Sequence, residues 1–346
     1  MSIRPEEYYS AETFAREQER IFGGRLFVGS AGRFNTPDAY RAYRAGGRAL
    51  VTRHVNGHFH TLENVCLHRG NLIHPLGYGE KPLRCGYHGW QYHADGALRH
   101  APLADAKCIK RHQLQGFPTA NQGGLLFADL QGRTPELAAP RRALEAIGFE
   151  LDPLAQPFHT ATLPHEANWK LLVENVLEPY HLSFVHSATF VAQGFTSTTE
   201  YDWAHEGDCS WNVVTPKPGS DAGLRRLIPQ ARGGYAHAWF APNLFVSVSS
   251  GLVAFVSHFL PTSAGATLLD YELWETPLLM RQKNAIRDYV KEEAVRFTAA
   301  VLDEDRALLE TSQQGIEYAR EPHQLQPIEA RIGHFHQIYR EAMDAA

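Results

Sequence analysis

Cysteine is scarce in this chain, four in 346 residues, and that excludes a disulfide scaffold at this size. Basic charge is not in excess either. With 33 Lys and Arg against 38 Asp and Glu the net charge is −5 and the isoelectric point lies near 6.4, so no basic stripe offers itself to a phosphate backbone and nucleic acid is excluded as a partner. Long apolar runs are missing. The longest, Leu244 to Leu260, is interrupted by Ser247, Ser249, Ser250, Gly251 and His258 and reads as two strands and a turn, not as a membrane span. Residues 1–20 mix Arg, Glu and Tyr without an apolar h-region, which argues against a secretory signal and for a cytoplasmic protein with no membrane partner. There is no internal repeat, no low-complexity tract and no Gly-rich dinucleotide motif between a strand and a helix.

What is present is an ordinary globular mixture, 44% apolar and 21% charged, long enough for two domains. Ser10 predicts a helix N-cap, with Glu12 in the first turn and Gly23-Gly24 at the end, so residues 1–24 form a packing helix for the catalytic half. From Arg25 to Asp129 the runs are short and β-rich: Leu26 to Val28, Arg48 to Arg53 and His58 to Leu62, the last two joined by the hairpin signal Asn56-Gly57. This is a small antiparallel β domain. Residues 130–167 carry Pro135, Pro140, Pro153, Pro157 and Pro164 around a helical stretch near Arg141 to Ile147 and read as a bridge. Beyond it, 168–346, a helical region opens at Asn168. Strands follow at Asn212 to Val214, Tyr235 to Phe240, Leu244 to Val248, Leu252 to Leu260 and Thr267 to Trp274. A final helix has Ile286, Tyr289, Val290, Ala294, Phe297 and Val301 on one face. A sheet covered by long helices makes the fold α+β.

Two short loops stand out in the β domain, Cys66-Leu67-His68-Arg69-Gly70 and Cys85-Gly86-Tyr87-His88-Gly89-Trp90. Each offers one thiolate and one imidazole. A [2Fe–2S] centre with two Cys on one iron and two His on the other needs such a pair, although two Cys and two His also satisfy a structural zinc site. The remaining cysteines, Cys108 and Cys209, read as small buried hydrophobes. Downstream stands Asn175-Val176-Leu177-Glu178-Pro179-Tyr180-His181-Leu182-Ser183-Phe184-Val185-His186. His181 and His186 are about 140° apart on an ideal helix, so they converge only if the helix is irregular or the metal sits off its flank. Further on, Asp303, Glu304 and Asp305 fall within one helical turn, and Asp305 and Glu304 point about 100° apart, so only one of those two aims at a given ion.

The flanks resolve the alternatives. Cys-x-His-Arg-Gly followed by Cys-x-Tyr-His-Gly-Trp resembles the Rieske iron–sulfur signature. Glu-Asn-x-x-Glu-x-Tyr-His-x-x-x-x-His, in the right order after it, resembles the iron motif of the Rieske non-haem iron oxygenases. The resemblance covers nearly the whole chain, including the His334-Phe335-His336 tail, and identifies it as a large, alpha, terminal-oxygenase subunit of the ring-hydroxylating and carnitine-type family. It implies a Rieske domain at 25–129 and a helix-grip-like catalytic domain at 168–346. Cys66, His68, Cys85 and His88 would hold one [2Fe–2S] cluster, and His181, His186 and Asp305 one mononuclear Fe(II) as a 2-His-1-carboxylate triad. Asp305 is placed by the later Glu310 and Gln313-x-Gly315, with Asp303 as the fallback.

The same resemblance puts Glu178 between a cluster histidine, His88, and an iron histidine, His181, of neighbouring subunits, and Asn175 near the iron without binding it. Many ring-hydroxylating relatives have Asp at 178. Glu there resembles the branch acting on carnitine, choline and other quaternary amines. Pro179 predicts a helix start or kink that turns Glu178 outward. Trp203, Trp211, Tyr235, Trp239, Phe240, Phe245, Phe255 and Trp274 are candidates for a pocket wall able to hold a cation, whereas His205, His237 and His258 read as ordinary strand residues. Expected partners are a ferredoxin or flavin reductase fed by NAD(P)H, O2 and a small organic substrate, in a homotrimer. The expected reaction is arene hydroxylation, as in aromatic hydrocarbon catabolism, or mono-oxygenation ending in N- or O-demethylation. The competing reading is a Rieske electron carrier with no oxygen chemistry of its own.

Overall fold

The computed structural model describes residues 2–105, 112–197, 201–215, 219, 221–231 and 233–345. Cys108 lies outside them, and Cys209 is fully buried. The chain divides into two compact units, residues 17–137 and residues 1–16 with 138–346. Helix α1 (Ala11–Arg20) runs across that division, and Ser10 Oγ accepts the Thr13 N–H at 3.1 Å as its cap.

The strands of the first unit are β1 (Arg25–Ser30), β2 (Ala39–Ala45), β3 (Arg48–Val55), β4 (His58–Glu63), β5 (Gly77–Glu80), β6 (Gln91–Tyr92), β7 (Leu98–His100), β8 (Gly116–Phe117), β9 (Thr119–Gln122) and β10 (Leu125–Asp129). They pair antiparallel in the orders β5-β2-β3-β4-β8, β1-β10-β9 and β6-β7. Asn56 and Gly57, at φ 51° and 81°, turn β3 into β4 in the left-handed conformation a two-residue hairpin requires. Strand β2 has no polar–apolar alternation to betray it. Its Arg41 is buried, with the guanidinium over the rings of Phe27, Tyr43 and Tyr78.

In the second unit one antiparallel sheet holds β11 (His159–His165), β12 (Tyr201–Glu206), β13 (Cys209–Val214), β14 (Tyr235–Phe240), β15 (Leu244–Ser249), β16 (Val253–Ser263) and β17 (Ala266–Glu275). Its order is β11-β17-β16-β15-β14-β13-β12. The helices are α2 (Ala138–Ile147), α3 (Trp169–Leu177), α4 (Leu182–Val185), α5 (Ala222–Leu227), α6 (Pro277–Met280), α7 (Asn284–Ile316) and α8 (Ala330–Asp344). The stretch expected as a bridge therefore contributes structure of its own, α2 and the edge strand β11, paired with β17 along its whole length. Pro164 is tolerated there because an edge strand has a side with no ladder to maintain. None of the helices among the described residues is long and apolar enough to cross a membrane.

Cross-strand register puts Ser210, Asn212, Tyr235, His237, Trp239, Phe245, Ser247 and Phe255 on one face of the sheet. Helix α8 packs there through Phe335, whose ring meets those of Trp239 and Trp169 at 5.4 and 5.8 Å. The N-terminal segment is tied in by a buried polar knot. Tyr8 Oη donates to Glu174, and His336 Nε2 lies 2.9 Å from the same carboxylate while its Nδ1 accepts the Ile3 N–H. His323 Nδ1 stands 3.4 Å from the other oxygen.

Burial pushes the Glu174 carboxyl up, but hydrogen bonds from His323 and His336 and their charges outweigh it and bring it down to about 2 from an ordinary 4.5. His323 moves the other way, raised by its hydrogen bond to Glu174 against the effect of burial. A depressed carboxyl stabilises the fold above its unfolded value and loses that contribution as pH falls through the folded one. Glu174 is therefore worth on the order of 3 kcal/mol at neutral pH, lost on acidification from about 4.5 to about 2. The raised His323 contributes below its unfolded value and ceases to do so as pH rises through its folded one. Urea midpoints of wild type and Glu174→Gln should differ at pH 6 and converge towards pH 2.5; parallel curves would rule the linkage out.

Candidate metal centres

In the first unit the two loops are built alike. Cys66 N–H donates to Asn71 O at 2.8 Å and Gly70 N–H to Cys66 O at 3.0 Å; Cys85 N–H donates to Trp90 O at 2.8 Å and Gly89 N–H to Cys85 O at 3.1 Å. Gly70 and Gly89 make this closure possible at φ 71° and 74°, a region costly for a residue with a Cβ. Both cysteines belong to the apolar core, with Tyr40, Val51, Leu62, Trp90 and Tyr92. The histidines face out. His68 and His88 are exposed, their rings 4.6 Å apart edge to face, and Trp90 stacks on His68 at 4.9 Å.

The two sulfurs both have hydrogen-bond donors, and Cys85 is the readier for an anionic state. Tyr92 Oη accepts the Leu67 N–H at 3.1 Å, which leaves its own proton for Cys66 Sγ, 3.2 Å away. Burial opposes ionisation of Cys85, but the Tyr87 N–H, the neighbouring Cys66, Asn71 Nδ2 and the His88 N–H outweigh it and hold that thiol below the ordinary range; burial pushes the Cys66 thiol up. Core-anchored sulfurs under N–H and O–H donors, with imidazoles at the surface, fit a cluster whose histidine iron faces outward.

In the second unit Asn168 caps α3 by accepting the Lys170 N–H, and the helix ends at Leu177. Glu178 is extended at φ −128°, ψ 149°, as the residue before a proline should be. Pro179 thus ends one helix and precedes the single turn of α4, which His181 and His186 bracket. That break lets imidazoles five positions apart converge. His181 Nε2 and His186 Nε2 are 3.2 Å apart, and Asp305 Oδ1, from α7, lies 3.8 and 3.0 Å from them. Gln313 holds the two elements in register: its Oε1 accepts the Asn168 N–H at 2.8 Å and its Nε2 donates to Tyr8 O.

Each histidine is fixed through its other nitrogen. His181 Nδ1 donates to Glu178 Oε1 at 2.5 Å, while Glu178 Oε2 accepts the N–H groups of Tyr180 and His181. His186 Nδ1 donates to Glu304 Oε2 at 2.6 Å, and Thr189 Oγ1 donates to the same oxygen at 2.8 Å. With Nδ1 protonated, both Nε2 atoms turn lone pairs inward. They meet Asp305 Oδ1, which is buried and accepts no well-formed hydrogen bond. Three acceptors facing one point call for a cation. Burial opposes protonation of His186, yet Asp305 and Glu304 outweigh it and raise its pKa, so a proton takes up that charge when no metal is bound.

Comparison with known proteins decides the identity. The family description "Ring hydroxylating alpha subunit (catalytic domain)" matches residues 152–345, and "Rieske [2Fe-2S] domain" matches residues 25–118. The chain belongs to the Rieske ring-hydroxylating alpha-subunit family. As a Rieske oxygenase it is a terminal oxygenase with one [2Fe–2S] cluster and one mononuclear non-haem iron, and not an electron carrier alone. It is 27% identical over 350 residues to the chloroplastic choline monooxygenase of Spinacia oleracea, covering 96% of this chain and 76% of that protein. To the carnitine monooxygenase oxygenase subunit of Acinetobacter baumannii it is 25% identical over 328 residues, 89% of this chain and 83% of that one. Its fold matches the quaternary ammonium Rieske monooxygenase CntA in complex with L-carnitine at TM-score 0.77 and 19% identity, over 99% and 96% of the two chains. It also matches naphthalene 1,2-dioxygenase from Rhodococcus sp. at TM-score 0.76 and 17% identity, over 100% and 95%.

Around this Rieske oxygenase's iron site the structure places each of the candidate residues and adds others. Asp305 stands with the histidines, whereas Asp303 pairs with Arg306. Glu304 does not point into solvent; it braces His186, a role invisible in the sequence because the partner lies 118 positions earlier. Asn175 is half-buried near the end of α3 and is not among the hydrogen-bond partners of the triad. Of the eight aromatic candidates, Trp211, Phe240 and Trp274 turn to the opposite face of the sheet, while Trp203, Tyr235, Trp239, Phe245 and Phe255 share the inner one. The rings nearest the iron ligands include two not expected there. Phe190 lies 5.4 Å from His186, 5.5 Å from Tyr235 and 5.2 Å from Phe297.

Proposed function

We propose that this Rieske oxygenase mono-oxygenates an N-methyl group of a small methylated amine, with electrons supplied by a ferredoxin or flavin reductase fed by NAD(P)H, and that it works in the cytoplasm as a homotrimer. The observation that carries the substrate class is an aromatic cluster at the iron site, in which Phe190 meets the His186 ring and packs edge to face on Tyr235 and Phe297. Ring faces attract a cationic ammonium without requiring a full negative charge. Choline, carnitine and glycine betaine monooxygenases among the relatives, and Glu at position 178, support the same reading.

When bound, the cluster supplies electrons singly and the mononuclear iron supplies the activation of O2. The chain's own residues do the rest. His181, His186 and Asp305 would hold the iron, and Cys66, Cys85, His68 and His88 the cluster. Glu178 and Glu304 fix the tautomers of the two histidines, and the aromatic cluster orients the substrate and keeps water out. One oxygen atom is inserted into a C–H bond of the N-methyl group, which becomes a hydroxymethyl group, and the other leaves as water with two electrons and two protons. The hydroxymethyl product then releases formaldehyde and the shortened amine. The exposed His88 supports electron transfer from one protomer's cluster to the Glu178–His181 pair of its neighbour.

Mixed oligomers test the assembly and the chemistry together. Cys85→Ser, lacking the cluster, and Asp305→Ala, lacking the iron, should each be inactive. Co-expressed, they should regain reductase-dependent formaldehyde release from trimethylammonium compounds. No recovery would refute transfer between subunits, and arene diols in place of formaldehyde would refute the amine reading.

A further inference from the structure

Helix α8 brings a positive charge, Arg331, into the interior of the catalytic unit, and no described carboxylate meets it. Arg331 is 4% exposed. Its Nε and Nη2 reach Ser210 Oγ at 3.4 and 3.2 Å, and Nη2 also reaches Ser210 O at 3.3 Å. Its Nη1 lies 3.3 and 3.4 Å from the two ring nitrogens of His237. Among the described residues no carboxylate lies within ion-pair distance of it. A buried guanidinium without a counter-anion is costly, and where Arg41 has three ring faces over its charge, the contacts of Arg331 are the polar atoms of Ser210 and His237, surroundings that favour an anion.

The surroundings are buried and polar. Ser210, Asn212 and His237 are 0%, 3% and 6% exposed and share the inner face of the sheet with Tyr235 and Ser247. Asn212 Oδ1 has no hydrogen-bond partner, so its amide can turn either end to a ligand. Burial, and then the charge of Arg331, keep His237 neutral, so it adds no competing cation. From Arg331 the rings run in sequence towards the iron ligands: His237 to Tyr235 at 5.3 Å, Tyr235 to Phe190 at 5.5 Å, Phe190 to His186 at 5.4 Å. An anion held at Arg331 thus sits at the far end of the row from the oxidised carbon.

We propose that Arg331 binds the carboxylate of the substrate, which makes the substrate class a zwitterion: a methylated ammonium at the aromatic cluster and a carboxylate at the other end. This rests on the amine reading for the ammonium end only; the guanidinium calls for an anion whatever the other end is. A guanidinium fork takes a carboxylate through two parallel hydrogen bonds.

The test uses the holoenzyme, kept anaerobic, and equilibrium binding. The probes are 4-(trimethylammonio)butanoate, its methyl ester, choline, and 5,5-dimethylhexanoate, which keeps the carboxylate but replaces the ammonium by a neutral carbon. Wild type should bind the trimethylammonio acid at least about 10-fold tighter than its ester. Arg331→Gln should weaken the acid by about 10- to 100-fold, as for loss of a charged hydrogen bond, and leave the ester unchanged; Arg331→Lys should recover part of the difference. Cluster absorbance and Tm establish that the variants fold, and if they do not, the acid-against-ester comparison in wild type decides alone. Equal binding of acid and ester, or a Gln variant that loses both alike, overturns the subsite. Binding of choline without any preference for acids leaves the amine reading standing and removes this inference. Arg331-dependent binding of dimethylhexanoate as tight as that of the trimethylammonio acid removes the amine reading and keeps the subsite.

Discussion

Asp305→Ala should purify with the absorption spectrum of an intact cluster, without the mononuclear iron and without measurable oxygenation. The argument begins with charge. His181 and His186 present two neutral lone pairs, so Asp305 Oδ1, at 3.8 and 3.0 Å from them, is the anionic member of the set. Without it, two imidazoles alone would have to hold Fe(II). The cluster loops belong to the unit formed by residues 17–137 and keep their own hydrogen bonds, so the loss is confined to one metal. Glu304→Gln is the graded control. It keeps all three donor atoms but weakens the brace on His186 Nδ1, and should cost about 10- to 100-fold in iron affinity, as is usual for partners one step removed from a metal. Iron analysis of protein exposed to a graded chelator series separates the two, and retention of full iron by Asp305→Ala would mean that the triad is misassigned.

Glu178→Gln should keep both metals and lose most of its turnover. Glu178 Oε2 accepts two backbone N–H groups and Oε1 accepts His181 Nδ1. An amide oxygen can replace one of these acceptors, so the turn after α3 survives while the anion is removed. On the proposed route between subunits, what disappears is the carboxylate that would accept from His181 and from a neighbour's cluster imidazole at once and hold the positive charge that appears as electrons pass. Steady-state oxygenation should fall by about 100-fold or more, the scale typical for removal of a positioned acid or base. Single-turnover experiments with a pre-reduced cluster locate the defect: cluster re-oxidation should slow in step with product formation. Normal re-oxidation with slow product would place Glu178 in the oxygen chemistry instead of the electron path.

Much of this protein is written locally. Asn56-Gly57 names its hairpin because only left-handed backbone closes a two-residue turn. Cys66 with Gly70 and Cys85 with Gly89 specify two identical loop closures without reference to anything distant. Ser10 and Asn168 announce their helices because a cap is satisfied within three residues. What stayed hidden was either irregular or remote. Strand β2 escaped because its buried Arg41 is satisfied by rings from other strands, and β11 because five prolines around it imitate a linker.

Local sequence named the two Cys–His loops and the two later histidines as donors and required Pro179 to interrupt the helix ahead of His181 and His186, while the family resemblance pointed to Asp305. These are short-range facts, settled by backbone sterics and ligand chemistry. Tertiary packing alone set Glu304 against His186, gathered Tyr235 and Phe297 around Phe190, and brought Arg331 inside with no acid in ion-pair reach among the described residues. Such pairings depend on strand register and on the docking of α7 and α8 over the sheet, and the interior charge left over is set by what the whole fold fails to bring near it.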